Sequence, residues 1–142
     1  MSASAKPTIL VVDDDQMNRR MIIDMLTEYG YICVEAADGA NGLEKAKELL
    51  PDLILLDLVM PRMDGFEACK RIRAYPPTSH IPITILTSLK DNSSRIRVLE
   101  AGATDFITKP VDPVELMVRV RNMLEIKHFD DLLNERNKEL DT

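Results

Sequence analysis

Short apolar runs rich in β-branched residues alternate five times with longer stretches of helical period, and few folds accommodate that alternation. The runs extend from Thr8 to Asp13, Tyr31 to Ala36, Asp52 to Asp57, Pro82 to Thr87 and Asp105 to Thr108. The first, third and fourth are almost continuously apolar, as strands are when helices cover both faces of a parallel sheet. The expectation is an α/β domain with five parallel strands and a helix after each.

Start and stop signals separate the helices. Asp15 caps the first and Gly30 closes it. Met17, Met21 and Met25 recur every four residues along it, and this stripe is expected to pack in the core rather than form a partner groove. The second helix runs from about Gly39 to Leu50 and stops at Pro51. The third spans about Asp64 to Ala74, before the turn residues Tyr75-Pro76-Pro77-Thr78, and the fourth spans about Asn92 to Ala101, before Gly102. The last opens on Asp112-Pro113-Val114-Glu115, with a capping acid, a proline in the first turn and a glutamate three residues after the cap. No breaker follows Pro113. The helix is therefore expected to continue past the domain as an amphipathic extension carrying Ile126, Phe129, Leu133 and Leu140.

The 142 residues suit one domain, with 45% hydrophobic and 30% charged residues in a globular balance. A net charge of −6 and a pI near 4.9 leave no broad basic face for direct nucleic acid or anionic membrane binding. No signal-like run precedes Asp13 and no stretch of ~18 apolar residues occurs, so a cytoplasmic protein without a membrane span is expected. Cys33 and Cys69 lack metal-site spacing and are expected to be buried thiols. His80 and His128 are isolated and expected on the surface.

Ligands of an open parallel sheet bind beyond the carboxyl ends of its strands. There the chain places Asp13, Asp14 and Asp15 after the first strand, Asp57 at the end of the third, Thr87 at the end of the fourth and Lys109 after the fifth. Carboxylates gathered from Asp13, Asp14 and Asp57 would repel one another unless a cation joined them, and oxygen donors favour Mg²⁺ or Mn²⁺ over zinc. Such a site suits phosphoryl transfer to a carboxylate, with Asp57 the nucleophile. Lys109 would offer a positive charge and Thr87 a hydroxyl to the acyl phosphate. Asp13 to Asn18 contain no glycine and three acids, which argues against a nucleotide cradle.

These residues carry a family resemblance. The Asp13-Asp14 pair, the segment Asp57-Leu58-Val59-Met60-Pro61-Arg62-Met63-Asp64-Gly65, the pair Thr87-Ser88 and Lys109-Pro110 together resemble the CheY-like receiver domains of bacterial two-component response regulators. The resemblance covers roughly Thr8 to Ile126. It implies a flavodoxin-like three-layer sandwich with strand order 2-1-3-4-5. Residues 1–7 would form a flexible tail, 8–126 the receiver and 127–142 a helical extension or linker.

The resemblance further implies metal contacts from Asp14, Asp57 and the backbone carbonyl of Val59, with Asp13 acting directly or through water. A histidine kinase or histidine phosphotransfer protein would supply the phosphoryl group. Pro110 would follow a cis bond, and Phe106 would swing inward as Thr87 moves. The altered face would lie on the fourth helix, fifth strand and fifth helix. That face or the C-terminal helix would also be the route to a homodimer. Val59 and Leu89, both apolar, flank the site and cannot hold a water in line, so slow self-dephosphorylation is expected.

The chain is thus read as a regulatory phosphoacceptor rather than an enzyme. A constitutive receiver-like interaction module and an aspartate-nucleophile phosphatase are the alternatives. The phosphatase is weakened because Val59 stands two positions after Asp57, where the leaving-group acid would be needed. The output would be another domain, of the kind that makes or degrades cyclic dinucleotides, or a separate partner protein.

Overall fold

Strands β1 (Thr8–Val12), β2 (Ile32–Ala36), β3 (Leu53–Asp57), β4 (Ile83–Thr87) and β5 (Asp105–Thr108) pair in parallel in the order β2-β1-β3-β4-β5. The computed structural model describes residues 6–88 and 91–140, apart from the side chains of 136–140. Helices α1 (Gln16–Glu28), α2 (Gly39–Leu49), α3 (Gly65–Ala74), α4 (Asn92–Glu100) and α5 (Pro113–Leu140) cover the two faces. The flavodoxin-like fold and strand order implied by the resemblance are both found. Among the described residues no helix is long and apolar enough to cross a membrane.

Alternating side chains divide each central strand between two cores. Leu10, Val12, Ile54, Leu56, Ile83 and Ile85 pack against Phe66, Cys69 and Ile72 of α3 and Val98 of α4. Ile9, Val11, Leu53, Leu55 and Leu86 pack on the other face against Ile22 and Leu26 of α1 and Leu116 and Val120 of α5. Strands with apolar residues on both sides must lie between helix layers, whereas β2 and β5 stand at the edges and are partly exposed.

All five helices begin behind an aspartate. The carboxylates of Asp15, Asp38, Asp64, Asp91 and Asp112 each accept a backbone N–H from the first turn, worth about 1 kcal/mol apiece. Asp15, not Asp14, is the cap of α1, which frees Asp14 for the strand-end loop.

Several expectations are corrected. The ladder excludes Asp13, Tyr31, Asp52 and Pro82. Pro82 has no N–H, and Asp52 uses its Oδ2 to accept the Thr8 N–H at 2.8 Å. The methionine stripe of α1 is not core: Met17 is 83% and Met21 50% exposed, and only Met25 packs against the buried cluster. Residues four apart advance about 40° around a helix, so the stripe drifts off the sheet face that Ile22, Ile23 and Leu26 occupy. Cys69 is buried as a free thiol, but Cys33, on edge strand β2, is only half-buried.

Leu116 and Val120 anchor α5, which then leaves the sheet with Ile126, Phe129 and Leu133 exposed. Lys127 ties its departing turn to Asp131 at 2.7 Å and to Asp52 at 3.7 Å. Of the expected tail and extension, residues 1–5, 141 and 142 and the side chain of Leu140 lie outside the described residues.

Arg73 joins α3 to the start of the β4–β5 layer. Its guanidinium donates to the Ile81 carbonyl at 2.6 Å, the Gly102 carbonyl at 2.8 Å and Thr104 Oγ1 at 3.3 Å. Arg73→Met keeps much of the stem but takes its donors away from the Ile81 and Gly102 carbonyls. Urea unfolding is expected to show a loss of about 2–4 kcal/mol; a loss under 0.5 kcal/mol would show that the clasp is replaceable by water.

Candidate functional site

The loops that follow β1, β3, β4 and β5 meet on one edge of the sheet. Because β1 and β3 are hydrogen-bonded neighbours, with Val12 opposite Leu56, the residues after them stand side by side. One carboxylate oxygen each from Asp13, Asp14 and Asp57 falls within a 4.8 Å cluster. Asp13 is fully buried and Asp57 nearly so, while Asp14 is exposed.

The two buried acids are paired differently. Asp57 Oδ1 accepts from Lys109 Nζ at 2.6 Å. Asp13 Oδ1 accepts the Asp15 N–H at 2.9 Å, but Asp13 Oδ2 is buried with no hydrogen-bond partner among the described residues. Burial above all pushes the Asp13 carboxyl up to about 6, and the negative charges of Asp57 and Asp14 push the same way. Burial also raises Asp57, against the pull of Lys109. A cluster of hard oxygens, one lacking any donor, fits a small divalent cation of the magnesium type, and no nitrogen or sulfur ligand belongs to it.

A backbone contact joins Lys109 to Thr87 beside this centre. The Lys109 N–H donates to the Thr87 carbonyl at 2.7 Å, so the loop after β5 is fastened to the end of β4. The Lys109-Pro110 bond is cis, as the resemblance implied, and Pro110 is exposed. Thr87 is buried and Val59 is 65% exposed at the mouth. Phe106 lies on β5, half-buried, with the Arg95 guanidinium over its ring. Leu89 lies outside the described residues.

Sequence reasoning missed two positions. Arg19 donates through Nη1 to the Asp13 carbonyl at 2.6 Å and through Nε to Glu35 at 2.7 Å, which steadies the acidic loop from α1. Nothing in its spacing marked it. Gly65 was part of the motif without a stated role. A Cβ there would lie 2.6 Å from the Asp57 carbonyl oxygen and 2.8 Å from Leu58 Cα. Glycine is what lets the start of α3 press against the loop after β3, where its N–H reaches the Leu58 carbonyl at 2.8 Å.

Comparison with known proteins agrees with this geometry. Residues 9–121 match the model of the response regulator receiver domain. The chain is 45% identical over 128 residues to the response regulator PleD of Caulobacter vibrioides, covering 90% of this chain and 28% of PleD. It therefore spans under a third of that relative's length. Among solved structures, the Vibrio cholerae chemotaxis protein CheY4 superposes with a TM-score of 0.80 at 33% identity, covering 84% of this chain and 99% of that one. The receiver domain of a Pseudomonas aeruginosa PAO1 sensor histidine kinase superposes at 0.79 with 32% identity, over 85% of this chain and 99% of that one, and that structure has a magnesium ion coordinated in its active-site cleft.

The raised Asp13 carboxyl makes a signed prediction. Its folded value lies above the ordinary 3.8, so the folded protein holds that proton more tightly than the unfolded chain. The cost of charging Asp13 is absent below pH 3.8, grows as pH rises toward 6 and is full above it. In metal-free buffer, Asp13→Asn is expected to be more stable than the parent by on the order of 2–3 kcal/mol at pH 7.5, with the gap closing toward pH 4. Mg²⁺ is expected to raise the parent's Tm at pH 7.5 and to do so less at pH 5. Thermal melts across pH check both; a gap that does not vary with pH would show that Asp13 is not the group responsible.

Proposed function

The chain belongs to the response regulator receiver domain family, and on that footing we propose that Asp57 is its phosphoacceptor and that Lys109, Thr87 and the acidic cluster serve that reaction. The observation that carries the reading is the nearly buried Asp57 carboxylate, held by Lys109 at 2.6 Å beside two further acids at the strand ends.

Receiver domains act in two-component signalling with histidine kinases and output domains. In the proposed step an Asp57 oxygen attacks phosphorus in line. The bond from phosphorus to the donor's histidine nitrogen breaks, and the nitrogen leaves with its electron pair. Asp13, Asp14, Asp57 and the Val59 carbonyl are proposed to hold Mg²⁺ or Mn²⁺. When bound, that ion neutralises charge on the phosphoryl oxygens. Lys109 releases its pairing with the free Asp57 carboxylate and takes up a phosphoryl oxygen, and the Thr87 hydroxyl donates to another. The motion of Thr87 is then accompanied by inward movement of Phe106, a population shift between two packings.

The proposal is a regulatory phosphoacceptor without a diffusible product. No observation favours the phosphatase, since Val59 occupies the position of the needed acid. Nor does one favour a constitutive module, since Asp57 retains its acids, lysine and threonine. The continuation of α5 past Ile126 supports transmission along this helix to an output domain, one of cyclic-dinucleotide metabolism, or to a docked partner or second copy.

Incubation with acetyl phosphate and Mg²⁺ is expected to give an acid-labile phosphoprotein that Asp57→Asn abolishes; an undiminished product would refute the assignment. The phosphoryl bond should also be long-lived. Exchanging Val59 and Leu89 together for polar residues is expected to shorten its half-life severalfold, measured by loss of label after removal of the donor, and an unchanged half-life would count against their shielding role.

A further inference from the structure

Helix α4 is fastened in an unusual way. Its one buried side chain is Val98, and Ile96 and Leu99 face outward. Two guanidinium–ring contacts supplement that anchor: Arg97 lies 3.9 Å from the centre of the Phe66 ring on α3, and Arg95 lies 5.2 Å from the centre of the Phe106 ring on β5. Both distances are within the reach of a cation–π attraction.

The ring that Arg95 touches neighbours the site. In the parallel register Ile85 lies opposite Phe106 and Thr87 opposite Thr108. Strand alternation therefore puts Thr87 and Phe106 on the same face, one pleat apart. Phe106 packs against the core that Ile85 and Val98 share, but only half-buried, and the guanidinium stands over it. Inward movement of the ring would forfeit that contact. In this arrangement Lys109 Nζ lies 2.6 Å from Asp57 Oδ1.

We propose that Arg95 is a positioning residue, whose guanidinium over the Phe106 ring holds the half-buried packing of that ring and sets how readily the domain leaves it. The proposal rests on the reading of Asp57 as the phosphoacceptor. An exposed cation–π contact biases the two packings by about two- to fivefold, and a ligand selective for the second packing gains apparent affinity by the same factor when the contact is removed.

The chain has three phenylalanines, so 4-fluorophenylalanine labelling yields three ¹⁹F signals, assignable by single Phe→Leu changes. The full chain is titrated with beryllium fluoride, an acyl-phosphate mimic, in the presence of Mg²⁺. Arg95→Met is expected to move the free protein's Phe106 signal part of the way to its position in the beryllium fluoride complex. It should lower the half-saturating concentration about two- to fivefold, and Arg95→Lys should restore both in part. In a Phe106→Leu background Arg95→Met should no longer alter the affinity. Arg97→Met, which loosens α4 from α3 instead, should move the Phe66 signal and leave that of Phe106 in place.

An unmoved Phe106 signal with unchanged affinity in Arg95→Met, while the parent binds the mimic, overturns the latch and leaves the phosphoacceptor reading standing. Equal effects on Phe106 from Arg97→Met overturn it too, in favour of general loosening of α4. A parent that does not bind the mimic, or binds it equally as Asp57→Asn, overturns both readings. Arg95 is exposed, and parent-like melting of Arg95→Met would show that folding is not what changed.

Discussion

The side-by-side pairing of β1 and β3 is the constraint on which the rest of the site depends. It places Asp13 and Asp57, both buried, together with Asp14 at the same sheet edge. Like charges gathered where water is scarce cost free energy, and that cost is localised on Asp13, whose Oδ2 finds no donor among the described residues. Lys109 offsets part of it through Asp57. The remainder is a standing demand for positive charge, of the kind a small divalent cation fits. The apolar strands behind the cluster sustain this demand, because a looser core would let the acids move apart into water.

Much of this was legible in the chain because it follows from local rules. Apolar runs flanked by turn residues gave the strands, Asp caps marked the helix starts, and the strand-end positions of Asp57, Thr87 and Lys109 pointed to the site. What misled was periodicity taken without its phase. The α1 methionines share a spacing of four, yet the helix turns them progressively away from the sheet, so that Ile22, Ile23 and Leu26 pack there instead. Cys33 misled for a related reason, since an edge strand buries less than a central one.

Arg19, Arg73 and Arg95 were not legible at all. Each acts on groups brought near only by the tertiary fold: the Asp13 carbonyl, the Gly102 and Ile81 carbonyls, and the Phe106 ring. A surface-type residue with a long stem carries no periodic signal of its own, and its target is fixed by strand order. Gly65 falls between these cases. Its presence in the motif was visible, but its reason is a close approach of two backbones that only the assembled loop reveals.

The tie between Lys127 and Asp52 has a mechanical consequence. Asp52 also accepts the Thr8 N–H, so α5 is moored to the start of β1 and β3, at the end of the sheet opposite the acids. With Leu116 and Val120 as its bearing in the core, the helix is supported at two heights before it projects. At 1.5 Å per residue the portion beyond Ile126 reaches ~21 Å. A tilt of about 5° at Ile126, where the projection begins, would displace its far end by roughly 2 Å, on the order of the helix shifts by which interfaces exchange packing partners. An arm of that length would convert adjustments too small to disturb the core into displacements large enough for a neighbour to register.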